Sequence, residues 1–273
     1  MPIWQAVILG IIQGLTEFLP VSSSAHLAVV PHLFGWQDQG ITFDIALHFG
    51  TLIAVLGYFF RDWWQIVLQG FGMRPGGDAT IARNPKLLWL LVAATIPAGV
   101  IGLLFEDQAE AAGNNLYMIG TWSILMGLLM AVAERSGKQR NDLGHVSVRD
   151  ALTIGAAQAL AVMPGVSRSG ITMSAGLFQG LDRYAAARFS FLLSTPVIAG
   201  AAAKNFYDMY KTGMPEDMRV PFAVGILVSG IVGALTIQFF MNFLRSRPLT
   251  LWVRYRVIFG ILVIALAIFR SNG

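Results

Sequence analysis

Near the N-terminus, Glu17-Phe18-Leu19-Pro20-Val21-Ser22-Ser23-Ser24-Ala25-His26 places a carboxylate, three hydroxyls and an imidazole inside an otherwise apolar segment. Glu17 is the only acid between Met1 and Asp38. In a membrane it would act as a general base, a metal ligand or the counter-charge of a cation. If Ser22 to His26 is helical, His26 lies i+4 from Ser22 and i+3 from Ser23, so both hydroxyls approach its side. A serine beside an imidazole is the general arrangement for covalent catalysis, and the imidazole can return a proton to a leaving group. Ser24 is assigned to packing, because Ser and Ala also line close helix contacts in membranes. Gln13 lies one turn before Glu17 on the same face; it can position a substrate oxygen or water but cannot take up a proton.

A second stretch echoes the first. Shifted by 145 positions, Gln13 falls on Gln158, Leu15 on Leu160, Val21 on Val166, Ser22 on Ser167 and Ser24 on Ser169, while Ser23 falls on Arg168. A guanidinium within a membrane costs several kcal/mol or more unless paired, so Arg168 reads as functional. Its fork fits phosphate or carboxylate bidentately. Ser167, Ser169 and Thr172 add hydroxyl donors, and a helix starting at about Ser167 would add its positive end to the same field. The competing role for Arg168 is structural, locking the two halves together through Glu17. His32 and His48 read as interfacial or satisfied core residues, Asp44 and Asp182 as helix caps or loop partners, and His145 as an ordinary member of a basic loop. No two histidines have zincin spacing, so no zinc site is expected.

These residues need a frame, and composition says what it is. The chain has 273 residues, 55% of them hydrophobic and 12% charged, about half the charge of a soluble domain. Mean hydropathy is +0.63. Lipid is therefore the solvent. With no cysteine, disulfides, thiolate nucleophiles and Cys-ligated metals are excluded. The formal net charge of +4 comes from residues in loops between apolar runs, which argues for cytoplasmic loops and against a nucleic-acid partner. Residues 1–16 lack a basic n-region and do not read as a signal peptide.

Residues 3–16 are apolar but too short to span, since a spanning helix needs about 20 residues. With the polar turn and the short run Leu27 to Trp36 they suggest a re-entrant hairpin, whose irregular backbone is tolerated only inside protein or around water. Full spans are expected at 43–60, 87–105 and 114–133, separated by a loop at 61–86 and an acidic loop at Glu106, Asp107 and Glu110. After the loop 134–150 the pattern restarts: a second hairpin at 151–181, then spans at 187–203, 220–243 and 251–269. Arg254 and Arg256 are expected to snorkel to the interface. The fold class is thus an all-α polytopic membrane protein in a single domain, with six full transmembrane helices and two re-entrant helical hairpins. The loops 61–86, 134–150, 181–188 and 244–256 hold most of the Lys and Arg and are placed inside. Each half (about 1–135 and 146–273) has one hairpin and three spans. Three is odd, so the second half is inserted upside down, an inverted-topology repeat whose polar tips meet near the midplane.

At this point the sequence resembles a known family. Gln13-x-x-x-Glu17 followed by Pro20-Val21-Ser22-Ser23-Ser24-Ala25-His26 is similar to the first signature of the undecaprenyl-diphosphate phosphatases, bacterial membrane proteins linked to bacitracin resistance. Pro164-Gly165-Val166-Ser167-Arg168-Ser169-Gly170-Ile171-Thr172 resembles the second without a gap. Ala25 stands where Gly is frequent, and Gln13 takes the neutral option of its position. The resemblance covers essentially the whole chain. It implies hydrolysis of undecaprenyl diphosphate to the monophosphate and inorganic phosphate at the cytoplasmic membrane, with a divalent cation, Mg²⁺ or Ca²⁺. The catalytic residues expected are Glu17, Ser23, His26 and Arg168, with Glu17 also a candidate metal ligand. Gln13, Ser22, Ser167, Ser169 and Thr172 are expected to bind substrate. Ser23 is the expected nucleophile and Ser22 its alternative; direct attack by water stays open. The partners expected are the polyprenyl diphosphate, the bilayer and, as an open alternative, a second copy of the chain. The site is expected to face outward. The rival reading is a secondary transporter or lipid flippase, whose architecture this also is; an intramembrane serine protease is a weaker third, since a phosphate-clamping Arg is unexpected there.

Overall fold

The computed structural model describes residues 1–37, 40–105, 108, 111–113, 115–213 and 215–271. Among these residues the secondary structure is helical apart from turns, with no strand. The α-helices are α1 (Ile3–Thr16), α2 (Ser23–Phe34), α3 (Gly40–Tyr58), α4 (Phe60–Gly70), α5 (Ala79–Ala82), α6 (Leu87–Leu104), α7 (Leu116–Ser136), α8 (Val148–Ala159), α9 (Arg168–Phe178), α10 (Arg183–Thr212), α11 (Glu216–Leu244) and α12 (Thr250–Ser271). Five of them, α6, α7, α10, α11 and α12, are long and apolar enough to cross a membrane. The sixth candidate is the pair α3 and α4, which pass the same test together and meet at a bend of 74°. The chain is a multi-pass helical membrane protein, as expected.

The two short arms on either side of each polar turn are also present. The helices α1 and α2 have 14 and 12 residues, α8 and α9 have 12 and 11, and each pair packs together. Contacts follow the 145-residue echo: α1 packs on α11 as α8 packs on α6, while α3 pairs with α10 and α7 with α12. The α8–α6 crossing is close because Gly155 has no side chain; a Cβ there would stand 2.3 Å from the Ala94 carbonyl oxygen. The largest apolar core centres on the fully buried Phe189, Phe191, Leu192 and Leu193 of α10. Phe18, in the first polar turn, meets Phe191 edge to face at 5.3 Å and so fixes that turn against α10.

Three expectations change. The segment 61–86 is not a plain loop, because α4 occupies its first part. Arg61 and Asp62 end the hydropathy run, but Gln65, Ile66 and Gln69 share one buried face while Trp64 and Val67 are exposed. That is the pattern of a helix lying along an interface. Arg256 does not snorkel; it is fully buried. The helices at 187–203 and 220–243 run longer, to 30 and 29 residues, or about 45 Å, more than the hydrocarbon thickness. The expected acidic loop at Glu106, Asp107 and Glu110 lies outside the described residues.

Candidate active site

Both polar turns end in a helix whose N-cap serine has a strained backbone. Ser22 has φ 76° and ψ 98°, and Ser167 has φ 68° and ψ 110°, a region that residues with a Cβ rarely occupy. Such strain persists only where the surroundings over-determine it, and it clusters at functional sites. Gly165, at φ 89°, makes the second turn; a Cβ there would lie 2.6 Å from the Ile119 carbonyl oxygen. The turns are pinned to one another by two groups. The Ser169 hydroxyl donates to the Leu19 carbonyl at 3.1 Å. Arg256 donates to four carbonyls: Ser123 at 3.2 Å, Pro20 at 3.1 Å, Gly165 at 2.5 Å and Val166 at 3.3 Å. Its charge sits among carbonyl dipoles, one from the first turn and two from the second. Composition and loop position hid this role.

This frame brings the two motifs onto one carboxylate. Glu17 Oε1 accepts from Arg168 Nη2 at 2.9 Å. Its Oε2 accepts from the Ser23 hydroxyl at 2.6 Å and from Gln13 Nε2 at 3.1 Å. His48 Nε2 stands 3.5 Å from the same Oε2. The His48 Nδ1 lies 2.7 Å from the Asp44 carbonyl and must donate to it, so Nε2 is the atom free to exchange a proton with Glu17. A cavity of about 350 Å³ opens over this group. Glu17, Ser22, Ser23, Ser24, His48, Gln158, Ser167 and Arg168 form its polar wall, and Ile45, Ala98, Val197 and Ile198 contribute to an apolar one. Arg168 Nη1 is buried without a hydrogen-bond partner in the protein. No side-chain cap satisfies the first-turn N–H groups of α2. Positive helix ends and an uncommitted guanidinium nitrogen suit an anion.

The structure separates the expected residues into two groups. Glu17, Ser22, Ser23, Ser167 and Arg168 meet at the cavity. Gln13, Ser169 and Thr172, expected to bind substrate, lie outside its wall. Gln13 holds Glu17, Ser169 holds Leu19, and Thr172 donates to the Arg168 carbonyl at 2.8 Å beside the Ser190 hydroxyl at 2.7 Å. His26 is not beside a serine hydroxyl. Its Nδ1 donates to the Ser22 carbonyl at 2.7 Å, its Nε2 accepts from the Tyr255 hydroxyl at 2.6 Å, and it stacks on Phe259. The helix carries the ring away from Ser23, so the expected Ser23–His26 pair is replaced by Ser23–Glu17. Two residues run the other way. Ser24, assigned to packing, is exposed in the cavity wall, and His48, read as a core residue, faces Glu17. The signal for His48 was present: an ionisable residue inside a span is functional by default.

The expected divalent cation fits these side chains poorly. Among the described residues Glu17 is the only carboxylate in the wall, both its oxygens are engaged, and no cluster of three or more His, Asp or Glu occurs. A hard cation takes six or more oxygen ligands, and the side chains here do not supply them.

Fold and site together define a polytopic membrane protein that holds a polar cavity, lined by serines and an Arg–Glu pair, at the junction of two helical hairpins. Residues 6–262 match the family described as Bacitracin resistance protein BacA, and the chain belongs to that family. It is 45% identical over 273 residues, all of both chains, to a protein of Pelotomaculum thermopropionicum named undecaprenyl-diphosphatase. It is 44% identical to proteins of the same name from Moorella thermoacetica, covering 97% of this chain and 98% of the relative, and Thermodesulfovibrio yellowstonii, covering 98% and 99%.

Proposed function

We propose that the chain hydrolyses undecaprenyl diphosphate to undecaprenyl phosphate and inorganic phosphate, recycling the lipid carrier of cell-wall synthesis and conferring bacitracin resistance. The observation that carries this reading is the Ser23 hydroxyl donating to Glu17 at 2.6 Å, beside a buried Arg168 with one nitrogen uncommitted. Nucleophile, base and anion clamp are then within one group of atoms. Arg168 Nη1 and the α2 N-terminus hold the terminal phosphate. Ser23 Oγ forms a bond to its phosphorus as the bond to the bridging oxygen breaks, and that electron pair leaves on undecaprenyl phosphate. The Ser23 proton passes to Glu17, with His48 able to share it. Once Glu17 has passed that proton to the departing undecaprenyl phosphate, water attacks the phosphoserine phosphorus and Glu17 takes its proton; as the phosphorus–Oγ bond breaks, Glu17 returns the proton to Ser23 Oγ and inorganic phosphate leaves. Phosphoryl transfer needs chiefly such positioning and charge neutralisation.

A cavity of this volume suits a small ligand, so the diphosphate and the first units of the tail enter while the rest of the tail stays in lipid. The Mg²⁺ or Ca²⁺ of the resemblance is assigned to the diphosphate, whose oxygens offer ligands that the protein does not. The two halves are read as an inverted repeat in the bacterial cytoplasmic membrane with the site facing outward. What supports this is that α6 and α10 begin at basic loops, while Ala98, Gly102, Val197 and Ala202, from their far portions, line the cavity. The deciding measurement is phosphate release from C55 diphosphate by purified wild type and Arg168→Ala in detergent, where no gradient can drive transport. Wild-type turnover with loss of at least about 100-fold in the variant is expected; full activity in Arg168→Ala overturns the assignment.

A further inference from the structure

Gln158 stands in the cavity wall, and the mechanism above leaves it unused. It lies in the last turn of α8, is 2% exposed, and neither Nε2 nor Oε1 meets a hydrogen-bond partner in the protein. Buried side-chain amides are nearly always paired. A buried amide with both ends open, facing a cavity, is arranged for something that enters the cavity.

The repeat explains why this amide is open. Gln13 and Gln158 occupy equivalent positions, but the next turn differs. Four residues after Gln13 comes Glu17, which takes the Gln13 Nε2 at 3.1 Å. Four residues after Gln158 comes Val162, an apolar residue of the same cavity wall. The first glutamine is therefore spent on holding the base, and the second has no partner on its own turn. Across the cavity wall it shares its situation with Arg168, whose Nη1 is also buried and unpartnered. A diphosphate offers several acceptor oxygens, and a charged nitrogen and a neutral amide nitrogen can divide them between the two phosphates.

We infer that Gln158 is a substrate-binding residue for the diphosphate. Its Nε2 donates to a phosphate oxygen next to the one held by Arg168, and its Oε1 accepts from a water hydrating that group. The inference rests on the phosphatase reading of the site. A neutral donor gives affinity without adding charge, so its effect belongs in KM rather than kcat.

The test uses the purified full-length chain, with Gln158→Leu and Gln158→Glu, read by phosphate release and by thermal unfolding with and without inorganic diphosphate. Gln158→Leu is expected to raise KM about tenfold or more with kcat within threefold, and to unfold no earlier than wild type, since it removes two unsatisfied ends. Gln158→Glu is expected to raise KM further, because a carboxylate repels the diphosphate. The rise in unfolding temperature that inorganic diphosphate gives wild type is expected to shrink in both. An unchanged KM in Gln158→Leu overturns the inference, as does early unfolding with KM unchanged. Should Gln158→Leu fail to fold, Gln158→Asn, which keeps the amide but shortens its reach, is held to the same KM criterion. If wild type releases no phosphate, the phosphatase reading fails by itself. The inference is then decided by inorganic diphosphate alone: a thermal shift in wild type that Gln158→Leu lacks supports it, and equal shifts or none reject it.

Discussion

Ser23 and Glu17 are joined by one hydrogen bond of 2.6 Å, and Glu17 is joined to Arg168 by another of 2.9 Å. Changing each member therefore has a distinct signature. Ser23→Ala removes the nucleophile and leaves the ion pair, so activity falls by at least about 10³-fold with little change in stability. A phosphoserine at Ser23, trapped by acid quench and found by mass spectrometry in wild type but not in this variant, checks the step. Near-full activity in Ser23→Ala would transfer the attack to water. Glu17→Gln loses the base, worth about 10²–10⁴-fold, and also leaves Arg168 buried without its counter-charge. Breaking such a pair costs about 3–5 kcal/mol. Adding Arg168→Gln should restore much of the unfolding temperature and none of the activity, which separates the structural work of the pair from its chemistry.

The turns depend on elements far from them in sequence. Arg256, on α12, supplies the donors for carbonyls of both motifs. Arg256→Met leaves those carbonyls buried without donors, and thermal unfolding should report a loss of about 3–5 kcal/mol. Arg256→Lys should rescue little, because one ammonium cannot reach the carbonyls that the guanidinium fork spans. On the other side, Asp78 caps α5 and pairs with Arg188 at 3.2 Å. Burial pushes its carboxyl up, but the Thr80 hydroxyl, Arg188 and the Ile81 and Thr80 N–H groups outweigh burial and hold it at about 2, against an ordinary 3.8. A depressed acid stabilises the fold above its unfolded value and loses that contribution as pH falls through its folded one. Wild type should exceed Asp78→Asn, which keeps the cap, by roughly 1 kcal/mol after solvent screening above about pH 4. The gap should close between about pH 4 and 2, as read by unfolding at each pH.

For the molecule as a whole, orientation is the open quantity with a direct reporter. The chain has no cysteine, so single-cysteine variants carry no background. Ser24→Cys, in the cavity wall, should react with a membrane-impermeant maleimide from outside intact spheroplasts, and Lys138→Cys, in the basic loop, only after lysis. The reverse pattern would reject the outward site. An inverted repeat of two three-span halves further requires that both termini be labelled from the same side, which the basic loops place outside.

Much of this was legible in the residues themselves. Apolar runs broken by polar turns fix spans and half-length hairpins, because unpaired backbone is too costly in lipid for other arrangements. A carboxylate and an arginine, each alone in an apolar stretch, must find each other or a ligand, and the pairing of Glu17 with Arg168 was one of the two outcomes those residues allowed. What the linear pattern could not decide was direction. Helical spacing put His26 near Ser23, but the strained backbone at Ser22 turns Ser23 toward Glu17 and His26 toward Tyr255, 229 residues later in the chain. The burial of Arg256, the approach of His48 and the open amide of Gln158 likewise depend on contacts between distant helices. Local periodicity determines which residues share a face, and only tertiary packing determines what that face meets.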